Sequence, residues 1–237
     1  MHVLALAAAR AIVPRAASTT LVLRDGACGP EVLMVKRSPH ASFMPGAYVF
    51  PGGAVDEADA NAANDEPPAV LADRIGRVTR VGERASAYAV AALRECREET
   101  YLDLGTTRAL APWSRWVTPL GLPKRFDTLF FVARAPEGQV PRPDERETTL
   151  LEWVAPRGAL DAHAGGAFQM EFATVATVRS LLPFAGRSVQ DILDHAAALR
   201  QLQPVHPRLK IDATRQHIVG VVLPGQPGYD DLPGDGP

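Results

Sequence analysis

Three glutamates, Glu95, Glu98 and Glu99, stand at i, i+3 and i+4 in the stretch ALRECREETYLDLG, Ala92 to Gly105. On a helix that spacing gathers the carboxylates on one patch, where like charges repel. A hard divalent cation removes the repulsion, because Mg2+ and Mn2+ prefer carboxylate oxygens. Upstream, Pro51-Gly52-Gly53 is a glycine-rich turn whose backbone can approach a ligand without an intervening side chain. A metal held by carboxylates with open positions bridges phosphate oxygens and lowers the pKa of bound water. That chemistry suits hydrolysis of a phosphoanhydride. The plain alternative is a solvated helix face, with Arg94 and Glu98 as an i, i+4 pair contributing roughly 0.2–0.5 kcal/mol.

Such a patch requires a helix. Ser86 stands where an N-cap is expected, ahead of AYAVAALRECREET, a run dominated by good helix formers. Ala89, Val90, Leu93 and Cys96 fall on one side of the wheel. Tyr88, Ala91, Ala92, Glu95 and Glu99 fall on the other, with Glu98 flanking them. The pattern predicts a helix that buries the first side and presents its carboxylates from the opposite one. Tyr101 then stands where a helix usually ends on glycine. A tyrosine at positive φ costs on the order of 1 kcal/mol, so a rearranged exit running on toward Gly105 is expected.

Strands must support the turn and the helix. STTLVLRDG and PEVLMVKRSP read as a hairpin closed by GACG. GAYVFPGGAV is a short strand broken at the glycine turn, and RFDTLFFVARAP is a further strand. TTLLEWVAPRGAL reads as a strand turning into a helix, TVATVRSLLPFAG and SVQDILDHAAALRQL as helices, and HIVGVVLPG as a last strand. Residues 56–84 are polar and proline-interrupted, with a weak helical patch at Ala69–Ile75. Local hairpins mixed with long returns indicate an α/β or α+β sandwich with a mixed sheet.

Bulk properties narrow the partners. A net charge of −2 over 237 residues gives no basic field for nucleic acid. No apolar run reaches the roughly 20 residues needed to span a bilayer. Two cysteines, Cys28 and Cys96, cannot build a disulfide framework, so a reducing, cytoplasmic location is expected. The apolar start MHVLALAAARAIVPR lacks a basic first segment and is broken by Arg10, which favours a terminal helical turn over a signal peptide.

FPGGAV followed by RECREET resembles the two halves of a Nudix box, the G-x5-E-x7-R-E-U-x-E-E-x-G-U pattern of Nudix hydrolases. Gly53 matches the first glycine, Arg94 and Glu95 the R-E pair, Cys96 the apolar position, Glu98 and Glu99 the E-E pair, and Leu102 the last apolar residue. Gly53 and Arg94 are 41 positions apart, 27 more than the uninterrupted pattern allows. Asp59 falls at the position of the first motif glutamate, and Glu83 is a second candidate. An insertion in a surface loop accounts for the excess at small entropic cost. This interrupted box, with KRSPHASFMPGAYVFPGG and RWVTPLGLPKRFDTLFF, is similar to the coenzyme A diphosphatase subfamily.

The resemblance implies a Nudix-type α/β/α sandwich in one domain over residues 1–237. Its core would cover about 18–160, with the insertion at about 56–84 and a C-terminal helical extension at about 174–237. It implies Mg2+ or Mn2+ held by Glu95, Glu98 and Glu99, with the Gly53 carbonyl as a backbone ligand. Arg94 would hold the glutamates, and Glu147, or alternatively Glu145, would be the later-loop acid that serves as metal ligand or base. Arg37, Gly52, Gly53 and Arg125 are candidates for the substrate phosphates, with Lys36 beside Arg37. Phe43, Met44 and Trp116 are candidates for a base or pantetheine pocket. The expected substrate is a small nucleoside diphosphate derivative, best coenzyme A or acyl-CoA, with ADP-ribose, NADH and dinucleotides as rivals. A homodimer is a further expectation, and a silent ligand-binding Nudix module is the non-enzymatic alternative.

Overall fold

The computed structural model describes residues 12–41, 44–63, 65–212 and 217–234. Phe43 and the apolar start up to residue 11 lie outside the described residues. Nine strands and six helices are used below. β1 (Arg15–Gly26) and β2 (Gly29–Arg37) form the expected hairpin, closed at Gly26 opposite Gly29. The broken segment is two short strands, β3 (Tyr48–Val49) and β4 (Gly52–Ala54). β5 (Ala111–Val117), β6 (Phe126–Arg134) and β7 (Thr148–Val154) complete a seven-stranded sheet.

The sheet runs β3-β2-β1-β6-β5, with β4 pairing β1 and β7 pairing β2. β1 and β6 are parallel, and the other pairs are antiparallel, so the sheet is mixed as expected. β5 is not evident from the sequence, because Pro112 argues against a central strand. The fold accommodates that proline at the edge of the sheet, where the β5–β6 register shifts between Pro112 and Ser114.

Helices cover both faces. α1 (Glu57–Asn61) follows the glycine turn. α2 (Pro68–Leu71) continues through a π-helical turn (Ala72–Gly76) and a last α turn (Arg77–Thr79). α3 (Ala85–Thr100) packs with α2 on one face, where Leu71, Ile75, Val81, Tyr88 and Ala92 meet Leu129 and Phe131. α4 (Pro156–Ala164), α5 (Phe172–Ser180) and α6 (Val189–Ala198) cover the other, where Val178, Leu181 and Ile192 meet Leu21, Met34 and Val132. A separate pair, β8 (Arg208–Asp212) and β9 (His217–Val222), follows, and β8 is a strand absent from the sequence reading.

The insertion is therefore not a surface loop. Leu71 and Ile75 are fully buried core. Arg74 fastens the segment: its Nη2 lies 2.6 Å from Glu66 Oε2, and Nη1 donates to the Leu110 carbonyl at 2.8 Å. Thr107 Oγ1 donates to the same Glu66 oxygen at 2.9 Å. The predicted patch Ala69–Ile75 is helical because it has this apolar face to bury.

α3 departs from expectation in three ways. It begins at Ala85 with Arg84 as N-cap, and Ser86 is buried inside it, because a 3-10 turn (Gly82–Arg84) leads straight into the helix. Its two sides are not segregated as predicted. Tyr88, Ala92 and Glu99 are buried on the expected polar side, while Val90 and Leu93 are only partly buried. Finally, the exit is not rearranged. Tyr101 takes the left-handed conformation itself, at φ 59 and ψ 13, with its N–H on the Arg97 carbonyl.

Candidate active site

β1 sets the rotation of α3. Ser18 Oγ donates to the Tyr88 carbonyl at 2.6 Å, and Thr20 Oγ1 donates to the Ala92 carbonyl at 3.4 Å. Tyr88, Ala92, Glu95 and Glu99 form one stripe along the helix. With Tyr88 and Ala92 held against β1, that stripe leads Glu95 and Glu99 to the glycine turn. β4 lies on the same strand, with Gly53 opposite Ser18 and Gly52 opposite Thr19.

The contacts are close. Gly52 N–H donates to Glu99 Oε2 at 2.9 Å. A Cβ on Gly53 would collide with the Glu95 carboxylate, and one on Gly52 with the Ser18 carbonyl. Gly52 is required by this approach of backbone to backbone, and a side chain at Gly53 would push the Glu95 carboxylate aside. Cys96, at the apolar position of the box, is fully buried, and burial pushes its thiol up to about 12.

Arg94 ties the two halves of the box together. Its Nε and Nη2 meet Asp59 Oδ1 and Oδ2 at 2.8 and 2.9 Å, a bidentate pair. Nη1 reaches Glu95 Oε1 at 2.9 Å and Glu98 Oε2 at 3.1 Å, and Nη2 also donates to the Ala54 carbonyl. Asp59 is buried in α1, where its carboxylate also accepts the Asp56 N–H at 2.8 Å. Burial opposes ionisation of Asp59, but Arg94 and that N–H hold its carboxyl below the usual range. Glu83 is exposed in the 3-10 turn before α3, so of the two acids considered in the insertion, Asp59 is the one at the box.

The carboxylates differ in environment. Glu99 is 3% exposed, and burial pushes its carboxyl up to about 8 against the opposing Gly52 N–H. Glu95 is raised too, chiefly by burial, with Arg94 opposing. The charge of Glu147, which lines the same cleft, adds to the rise of both. Glu98 is largely exposed and turned to Arg94. Among the described residues no three acidic, histidine or cysteine side chains already form a metal cage. The donor set nevertheless fits a hard cation: the buried Glu99 and the partly buried Glu95 both face the glycine turn, where a cation that prefers carboxylate oxygens offsets their repulsion.

A cleft of about 1980 Å3 opens over this cluster. Glu95, Glu98, Glu99 and Glu147 line it, as do Gly52, Gly53, Arg37 and Arg125. Arg37 shares the cleft lining with Glu99, and its charge opposes the rise of that carboxyl. Arg125 is almost fully buried and donates to the carbonyls of Thr118 and Ile12 at 3.1 Å each. Lys36 stands over the Tyr48 ring instead. Met44 and Trp116 line the cleft, with Phe50, Phe130 and Phe172. Glu145 does not line it, whereas its neighbours Asp144 and Arg146 do. Asp144, which the sequence reading passed over, accepts the N–H groups of Arg146, Glu147 and Thr148 and so shapes the Glu147 loop. An aspartate followed by Thr148 in a polar turn is the signal that could have shown it.

Comparison with known proteins gives a consistent picture. The model of the NUDIX domain matches residues 79–172, beginning after most of the insertion. A putative nudix hydrolase 7 of Caenorhabditis elegans is 29% identical over 57% of this chain and 50% of its own length. An acyl-coenzyme A diphosphatase of Homo sapiens is 26% identical over 68% of this chain and 62% of its own. The chain thus spans between half and two thirds of the length of these curated relatives. The crystal structure of a NUDIX hydrolase from Alicyclobacillus acidocaldarius superposes with a TM-score of 0.63 at 27% identity, covering 82% of this chain and 100% of that one. Box residues joined across an insertion, the mixed sandwich and these matches agree: residues 79–172 carry a NUDIX domain, and the chain shares the fold of a solved NUDIX hydrolase.

Proposed function

We propose that the chain is a divalent-metal-dependent hydrolase that cleaves the diphosphate linkage of a nucleoside diphosphate derivative, with coenzyme A or an acyl-CoA as the best single substrate. The observation that carries this reading is the pair Glu95 and Glu99, the second of them buried, set against Gly52 and Gly53 in the lining of a large cleft. The whole of residues 1–237 is proposed as one Nudix domain.

Glu95, Glu98, Glu99 and the Gly53 carbonyl would hold the ion. Mg2+ or Mn2+ would supply neutralising charge and an acidified water when bound. Arg94 keeps Glu95 and Glu98 oriented through its fork. Glu147 takes the proton of the attacking water, as an exposed carboxylate in the same cleft lining as Glu95 and Glu99. Arg37, near Glu99, neutralises substrate phosphate. The apolar wall of Phe50, Trp116, Phe130 and Phe172 suits a long acyl-pantetheine arm or a base. Support for coenzyme A over other diphosphates comes from the human relative that carries that name.

The test is turnover of coenzyme A, ADP-ribose, NADH and dinucleotides with Mg2+ or Mn2+, read as nucleotide products. Coenzyme A is expected to be cut fastest, to 3′,5′-ADP and phosphopantetheine. Glu98→Gln is expected to abolish activity with an unchanged circular dichroism spectrum. Wild-type turnover by that variant removes the proposed metal site. Ligand binding without any product identifies a silent module instead.

A further inference from the structure

The cleft has two chemically different parts. Glu95, Glu99 and Glu147 stand by the glycine turn. Phe50, Trp116 and Phe130 rise from the sheet face that α4–α6 cover, and Phe172 meets Trp116 at 6.2 Å between ring centres. Glu171 lies on this apolar wall, next to Phe172 and just before α5.

Its carboxyl has no assigned task. It makes no capping bond to α5, and no hydrogen bond or ion pair among the described residues. Burial raises it, with only the charge of His163 opposing. The Nδ1 of that histidine lies 2.9 Å from the Phe168 carbonyl. A half-buried carboxyl without a side-chain partner keeps its accepting oxygens available to water or to a ligand in the cleft. A hydrogen-bond acceptor that precedes Phe172 in the lining of the same cleft suits a flat heterocycle carrying an N–H donor.

We infer that Glu171 determines base specificity, its carboxyl accepting a hydrogen bond from the exocyclic amino group of an adenine-type ring held against the partly exposed Phe172. This rests on the nucleoside diphosphate reading of the cleft. An amino group presents a donor, whereas the oxygen at the same ring position of hypoxanthine presents an acceptor. The oxo base sets oxygen against oxygen and leaves Glu171 unpaired, which is the stronger form of discrimination available to a polar site.

The experiment is calorimetric titration of the full chain with AMP and with IMP in Mg2+, since neither has a diphosphate linkage to cut. The unmodified chain is expected to bind AMP about tenfold more tightly than IMP. Glu171→Ala should weaken AMP to the level of IMP. Glu171→Gln should narrow the ratio from the other side: its amide oxygen keeps AMP within about threefold, and its NH2 now serves the IMP oxygen. Equal binding of AMP and IMP by the unmodified chain, binding of neither, or an unchanged ratio in Glu171→Ala overturns the inference. Diphosphate turnover is measured separately. Absent turnover with an intact AMP preference sinks the hydrolase reading alone, and turnover without that preference sinks only the role of Glu171.

Discussion

Arg94 and Asp59, 35 residues apart in the chain, meet as a bidentate pair at 2.8 and 2.9 Å. The helix that carries the glutamates is thereby fastened to the turn that faces them, across the whole insertion. Removing Asp59 leaves Arg94 only its weaker partners. Asp59→Ala should lower stability by about 1–3 kcal/mol, read from urea midpoints, less than for a fully buried pair because Arg94 stays partly exposed. Glu83→Ala should change it by less than about 0.5 kcal/mol. Equal effects of the two would show that Asp59 does not hold the box together.

Glu147 and Glu145 are separated by a single kinetic comparison. Glu147 lines the cleft with Glu95 and Glu99, and Glu145 is outside the cleft lining. Glu147→Gln should lower kcat by about 100-fold or more, the usual contribution of a general base. Glu145→Gln should leave it within about twofold. The reverse order reassigns the base.

Metal-free stability should depend on Glu99. Its carboxyl keeps the proton up to about 8 in the folded chain, against an ordinary value of 4.5. Between those values the folded state holds more protons than the unfolded one. The stabilisation is thus complete below about 4.5 and lost as pH rises through 8. Glu95, raised as well, acts in the same direction. In EDTA the chain should lose about 2–4 kcal/mol from pH 5 to pH 8 through this linkage. Mg2+ should restore melting temperature at pH 8 far more than at pH 5. Glu99→Gln should flatten the slope, and an unchanged slope in that variant would place the titration elsewhere.

Tyr101 holds a backbone conformation that favours glycine, with its ring largely exposed and 5.2 Å from the Arg142 guanidinium carbon. Tyr101→Gly should raise stability by about 0.5–1 kcal/mol in denaturant titration, relief of left-handed strain outweighing the looser unfolded chain. A destabilised glycine variant would mean that the ring contact with Arg142 matters more than the strain.

What could be read from the sequence divides along a physical line. Gly53, Arg94, Glu95, Glu98 and Glu99 are legible because the chemistry they resemble dictates their types and their spacing. The hairpin and β6 are legible because their apolar residues follow the pattern of buried strands. Choosing Asp59 over Glu83 requires the path of the insertion, which Arg74, Glu66 and Thr107 determine through contacts remote in sequence. The burial of Glu99 is equally invisible, since a glutamate on a helical wheel reads as exposed until β1 and β4 close over it. β5 hides behind Pro112, whose strand character depends on lying at an edge.

The parallel pairing of β1 with β6 carries a consequence for how the protein is made. β1 finds β2 at once, across a two-residue turn. Its other edge, with Leu21 opposite Val132, has no neighbour until β6 leaves the ribosome more than a hundred residues later. During synthesis an apolar hairpin with one open side must therefore wait through translation of β3, β4, α1, α2, α3 and β5. An unpaired strand edge of this kind templates association with other chains. Newly made chains should need protection for longer than their finished fold suggests.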